Sequence, residues 1–156
     1  SLVGWSGSGK TTVITRLISF FKAKKKTVVA LKNVPHEYAL QPEGKDSFKF
    51  LEAGADRVVL NSREEIILMK RKKDQEDILG MIQSALDNVD MVFLEGLLLK
   101  NVPVIEVLDS NQAKGFKYPL EKCSAIVSDG NIHASIPWFH KDDISAIAQF
   151  MEAYDE

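Results

Sequence analysis

The stretch "GWSGSGKTT", Gly4 to Thr12, carries the densest chemistry in the chain. Gly4, Gly7 and Gly9 allow backbone conformations closed to residues with a Cβ, so successive N–H groups can converge on one anion. The segment Gly4 to Thr11 satisfies G-x-x-x-x-G-K-[ST] at every fixed position, and it lies between a strand-like stub (Leu2, Val3) and a helix-like run. Such a loop cradles a polyphosphate. Lys10 is expected to bridge the outer two phosphates and Thr11 to offer its hydroxyl to Mg²⁺, a cation that requires hard oxygen donors. Ser6, Ser8 and Thr12 complete the nucleotide-binding candidates.

Carboxylates at strand ends come next, because ligands of open α/β sheets lie outside the C-terminal edges of the strands. Glu95 ends the apolar run "MVFLEG" in the manner of a Walker B acid, and is a candidate for catalysis and for the metal. Asp46, in "EGKDS", has two readings: a carboxylate able to complete the Mg²⁺ shell, or the N-terminal cap of a short helix. Lys45 beside it could contact a phosphate. Asp129 ends "SAIVSDG" and could accept hydrogen bonds from guanine N1–H and the exocyclic amine, although "SDGN" is also an ordinary turn and no N-K-x-D occurs.

The elements that must position these groups follow from periodicity. Lys10 to Lys22 reads as a helix with Val13, Ile14, Leu17, Ile18 and Phe21 on one face. "TVVAL" reads as a buried parallel strand, which makes strand, loop, helix and strand a βαβ unit. The sixteen residues of "KNVPHEYALQPEGKDS" form a functional loop, followed by a helix over Ser47 to Ala53 that Gly54 closes. "DRVVLN" and "EEIILMK" read as a hairpin, an expected antiparallel extension of the sheet. A helix is expected over Asp74 to Leu86, strands at "MVFLEG", "VPVIEVL" and "SAIVSDG", and a last helix over Asp142 to Tyr154. Alternating strands and helices specify a three-layer α/β fold of the P-loop NTPase type, mostly parallel, with helices on both faces. One domain is expected over 1–156. Only three residues precede the loop, so the first strand is expected to be truncated at its N-terminus.

Composition removes other classes. With 45% hydrophobic and 27% charged residues the chain is an ordinary globule, and its longest apolar runs cannot cross a bilayer. A net charge of −2 gives no field for nucleic acid, and Lys22, Lys24, Lys25 and Lys26, like Lys70, Arg71, Lys72 and Lys73, read as solvated element ends. The lone Cys123 reads as a buried inert thiol, and His36, His133 and His140 lack the spacing of a zinc site. A cytoplasmic protein is expected.

"GWSGSGKTT", "LKNVPH", "EGKDSFKFLEAGAD" and "FLEG" followed by "VPVIEVL" resemble, in order and spacing from Gly4 to about Asp129, the molybdopterin-guanine dinucleotide biosynthesis protein B (MobB) family. The resemblance implies a homodimeric GTP-binding accessory protein with slow Mg²⁺-dependent hydrolysis. It also implies as partners the guanylyltransferase that joins GMP to molybdopterin, and molybdopterin itself. By position, Gly7, Gly9, Lys10 and Thr11 fall on the family's phosphate loop, Asp46 on its "GKDS", and Glu95 and Gly96 on its acidic "EG". Asn33 stands where the family usually has a histidine, His36 matches that segment's second histidine, Leu97 replaces a phenylalanine, and an acid expected near Gln41 is missing.

Two rivals share the phosphate loop. A small-molecule kinase using ATP would need lid cations in the second half of the chain, where no arginine follows Arg71 and only Lys100, Lys114 or Lys117 could substitute. A nucleotide-switched adaptor would need no efficient catalysis, and the sequence shows no evident arginine finger or water-aligning glutamine.

Overall fold

The computed structural model describes residues 1–34, 46–70, 78, 80, 88–111 and 114–154. The chain divides into two compact units, Ser1–Asn33 with Asp87–Glu156, and Val34–Leu86.

The first unit is built on a six-stranded sheet of β1 (Leu2–Val3), β2 (Val28–Lys32), β5 (Met91–Glu95), β6 (Ile105–Leu108), β7 (Ala125–Ser128) and β8 (Trp138–His140), in the order β2-β5-β1-β6-β7-β8. Every pairing in it is parallel. Strand β1 lies between β5 and β6, so the loop that follows β1 opens where the chain's direction across the sheet reverses, the usual place for a ligand. Strand β8, which the sequence reading did not foresee, is the three-residue edge "WFH".

Period-two alternation splits the strand residues between the two faces. Leu2, Phe93, Ile105, Val107, Ala125 and Val127 join Val13, Ile14, Leu17 and Phe21 of helix α1 (Lys10–Ala23) and Ile147 and Ala148 of helix α3 (Ile144–Glu152) in the main core. The apolar stripe of α1 is therefore the docking surface its spacing predicts. On the opposite face Val3, Val104 and Cys123 make a smaller cluster with Tyr118 and Ile136. Helix α3 starts at Asp143, whose side chain accepts from the Ala146 N–H. The lysines after α1 are spent on the surface, Lys24 against Glu152 at 3.0 Å and Lys26 against Asp90 at 3.2 Å.

The second unit contains α2 (Asp46–Glu52), β3 (Arg57–Asn61) and β4 (Ile66–Lys70). Gly54, at φ +102°, closes α2 as expected, with the Ala55 N–H returning to Phe50 O at 3.0 Å. Strands β3 and β4 pair antiparallel, as the hairpin reading requires. They form a two-stranded sheet of their own, which corrects the expectation that they extend the main one: their ladder bonds run to each other. The helix expected over 74–86 lies outside the described residues except for Ile78 and Gly80, and so do Lys45, Gln41, His36 and most of the long loop. Among the described residues no helix is long and apolar enough to cross a membrane.

Candidate nucleotide-phosphate site

Gly4 is the point at which the loop must be glycine. A Cβ there would come within 2.3 Å of Val107 O on the neighbouring strand, and its φ is +137°. Gly7 and Gly9 follow at φ +80° and +92°. Gly9 caps α1 in a left-handed conformation, with no side-chain cap and no acid in the first turn, so the helix presents its uncompensated N–H groups to the loop. A helix N-terminus left in that condition attracts an anion. Ser8 is buried in the loop, while Ser6, Thr11 and Thr12 are exposed.

Lys10 reaches back over the loop, its ammonium donating to Trp5 O at 2.7 Å and Gly4 O at 3.1 Å. Burial holds this ammonium below its ordinary pKa; Glu95 opposes the shift, and Lys117 and Lys32 add to it. Glu95 is the partner that the strand-end argument anticipates. Register sets Leu2 beside Glu95, and the Gly96 N–H donates to Leu2 O at 2.9 Å, so the end of β5 is fixed against the start of the loop. Both Glu95 carboxylate oxygens then accept from the Thr11 hydroxyl, at 3.0 and 3.1 Å, and Lys32 closes on Oε1 at 3.2 Å. Thr11 and Glu95 thus put three hard oxygen atoms together at the head of α1, a donor set that suits Mg²⁺. Asn33 ties β2 to this corner: its Nδ2 donates to Gly96 O at 3.1 Å and its N–H to Glu95 O at 2.9 Å.

Asp129 sits at the end of β7, with one oxygen taking the Ser110 N–H at 2.8 Å and the other 3.4 Å from the Lys141 ammonium. The Ser110 N–H, ahead of Lys141, keeps this carboxyl below the usual carboxylate range. Lys141 also runs past Gly9, so Asp129 and the phosphate loop share a neighbour. Asp46, the last sequence candidate, is the first residue of α2 in the second unit, exposed and 3.2 Å from Lys49.

Two contributors, Lys141 and Glu106, escape sequence reading, and a third, Lys117, enters it only as a substitute lid cation of the kinase rival. Lys141 pairs with Asp129 and occupies the space a Cβ on Gly9 would face, but lies in an unremarkable "HKDD" turn. Lys117 joins the cations around Lys10 from a loop far along the chain. Glu106 is fully buried on β6, beside Val3, where it accepts the Lys117 and Tyr118 N–H groups. Its signal was visible: an acid inside the otherwise apolar "VPVIEVL" must find donors.

The family description "Molybdopterin guanine dinucleotide synthesis protein B" matches residues 1–129, which hold the loop, Glu95 and Asp129 alike. The chain belongs to the MobB family. Two relatives carry the name molybdopterin-guanine dinucleotide biosynthesis adapter protein. That of Escherichia coli K12 is 25% identical over 97% of this chain and 89% of its own length, and that of Haemophilus influenzae 28% identical over 97% and 85%. The crystal structure of a molybdopterin-guanine biosynthesis protein B superposes with a TM-score of 0.75 at 26% identity, covering 98% of this chain and 97% of the other. MobB of Bacillus subtilis shares the fold with a TM-score of 0.72 at 24% identity, covering 97% and 94%.

Proposed function

We propose that this chain is a GTP-binding adapter that assists the attachment of GMP to molybdopterin and hydrolyses GTP slowly with Mg²⁺. The observation that carries the reading is the Thr11–Glu95 clasp at a complete phosphate loop, in a chain whose relatives are named as adapters of molybdopterin-guanine dinucleotide biosynthesis.

The loop N–H groups and the head of α1 would hold the phosphates, with Lys10 exchanging its contacts to Gly4 O and Trp5 O for phosphate oxygens. Thr11 and Glu95 would hold Mg²⁺. Such an ion would supply positive charge to offset that of the phosphates. Slow turnover is what the remaining residues support. Arg16 is the one arginine in the sequence of the first unit, and it pairs with Asp142 at 2.6 Å, so that unit offers no uncommitted arginine for the transition state. The same scarcity weakens the kinase rival. Asp129, which shares Lys141 with Gly9, is the acid we assign to guanine.

A homodimer is supported by the hairpin. Opposed residues in an antiparallel pair share a face, so Val59, Leu68 and Ile66 stand together, with 56–74% of each exposed. An apolar face of this kind on a two-stranded sheet is suited to burial against a second copy.

The deciding experiment is calorimetry of GTP and ATP side by side, with Mg²⁺, on nucleotide-free protein. We expect GTP to be preferred by about tenfold, which is about 1.4 kcal/mol. Preference for ATP would overturn the guanine assignment and bring the kinase forward.

A further inference from the structure

Trp5, within the phosphate loop, is held by a second loop. Its indole N–H donates to Gly115 O at 3.2 Å, and the ammonium groups of Lys114 and Lys117 lie 5.6 and 5.7 Å from its ring centroid. Trp5 O in turn accepts from Lys10 at 2.7 Å, so one residue joins Lys10 to the two lysines. Neither Lys114 nor Lys117 makes an ion pair with a carboxylate among the described residues. Neighbouring cations repel one another, and Lys117 adds to the burial that depresses the Lys10 pKa, against the opposing charge of Glu95.

The base of Lys117 is fixed while its tip is exposed. Its backbone N–H, with that of Tyr118, is accepted by the fully buried Glu106, which is anchored on β6 next to β1. Only the side chain is left to move. A cation–π contact is weaker than a charge-assisted hydrogen bond, so a phosphate oxygen within reach would win.

We propose that Lys117 is a second phosphate-binding cation, parked between Trp5 and Tyr118, whose ring centroids lie 5.7 and 5.5 Å from its ammonium, and transferred to the outer phosphates of the bound nucleotide. The inference rests on the nucleotide reading above and adds a residue to it. Lys117 thereby supplies from the chain itself part of the charge that an arginine would provide, and Trp5 reports the transfer.

The test is a GTP titration with Mg²⁺, read by calorimetry on the chain with both tryptophans and by Trp5 emission in a Trp138→Phe background. Lys117→Gln keeps the backbone N–H that Glu106 accepts, so the loop anchor is preserved. It is expected to bind GTP about tenfold more weakly, with a shallower salt dependence, as loss of one charged contact requires. Lys117→Arg is expected to restore most of the affinity. Unchanged affinity in Lys117→Gln, or Lys117→Arg as weak as Lys117→Gln, would overturn the proposal while leaving the nucleotide reading standing. Failure of the parent chain to bind GTP would overturn the nucleotide reading itself.

Discussion

Thr11 and Glu95, separated by 84 positions in the chain, meet at 3.0 and 3.1 Å, the hydroxyl shared between both carboxylate oxygens. Two different elements therefore converge on one point, the first turn of α1 and the last residue of β5. In a site of this design the lysine holds charge whereas the acid organises what happens near the terminal phosphate. The two should separate in kinetics. Lys10→Ala is expected to abolish GTP binding in calorimetry, and full affinity in that variant would exclude the loop as the site. Glu95→Ala is expected to lower hydrolysis far more than binding, by about a hundredfold against less than tenfold, as for a group that acts in the transition state. Equal losses would reduce Glu95 to a brace for Thr11.

Glu106 makes a structural prediction. A fully buried carboxylate on a sheet is costly unless its oxygens are satisfied, and here the Lys117 and Tyr118 N–H groups do so. Glu106→Leu fills the space but leaves both donors without an acceptor, so a loss of about 2–4 kcal/mol in urea unfolding is expected. Glu106→Gln retains one acceptor and should lose less. If Glu106→Leu were as stable as the parent, the loop anchor would not be a source of stability.

What could be read from the sequence divides along one physical line. The phosphate loop was legible because its glycines answer a backbone need: Gly4 has no room for a side chain beside Val107 O, and Gly9 turns left-handed to start α1. Glu95 was legible because an acid that ends an apolar strand points at the ligand edge of such a sheet. Lys141 was not, and Lys117 was legible only as a substitute lid cation, since their surroundings, Trp5, Gly9 and Asp129, are distant in the chain. β8 escaped for a different reason: three residues are too few for alternation to register. The hairpin was legible as a pair because local turn chemistry sets its register, whereas its membership of a separate sheet depends on what else each strand meets.

Cys123 carries a pH signature. Burial first, then the Glu106 charge, pushes its thiol up to about 11, from an ordinary value of 9.0. Between those values the unfolded chain releases the proton while the folded chain keeps it. Stability gained from this site is therefore intact below pH 9.0 and lost as the pH rises toward about 11. Cys123→Ala is expected to flatten this part of the stability profile. At pH 8, disulfide-reagent labelling of the native thiol is expected to be at least about tenfold slower than in urea. Equally fast labelling would contradict the buried, uncharged thiol.

The hairpin tests assembly through residues other than the nucleotide-site candidates. Its two faces are unequal: Val58 and Met69, directly opposed, are buried, while Val59, Leu68 and Ile66 on the other face are largely exposed. Leu68 stands opposite Val59 at the centre of that apolar strip, and Arg57 and Lys70 are paired at its end. A lysine at 68 would place a charge amid the apolar strip while costing the monomer little, since the native side chain there is already 56% exposed. Leu68→Lys is thus expected to shift the protein from dimer to monomer in sedimentation velocity, by about tenfold or more in the dissociation constant, with an unchanged unfolding midpoint for the monomer. Because the substitution lies in the second unit, GTP affinity per chain gives an independent check on folding. A dimer that survives Leu68→Lys, or a parent chain that sediments as a monomer, would remove this face from the assembly.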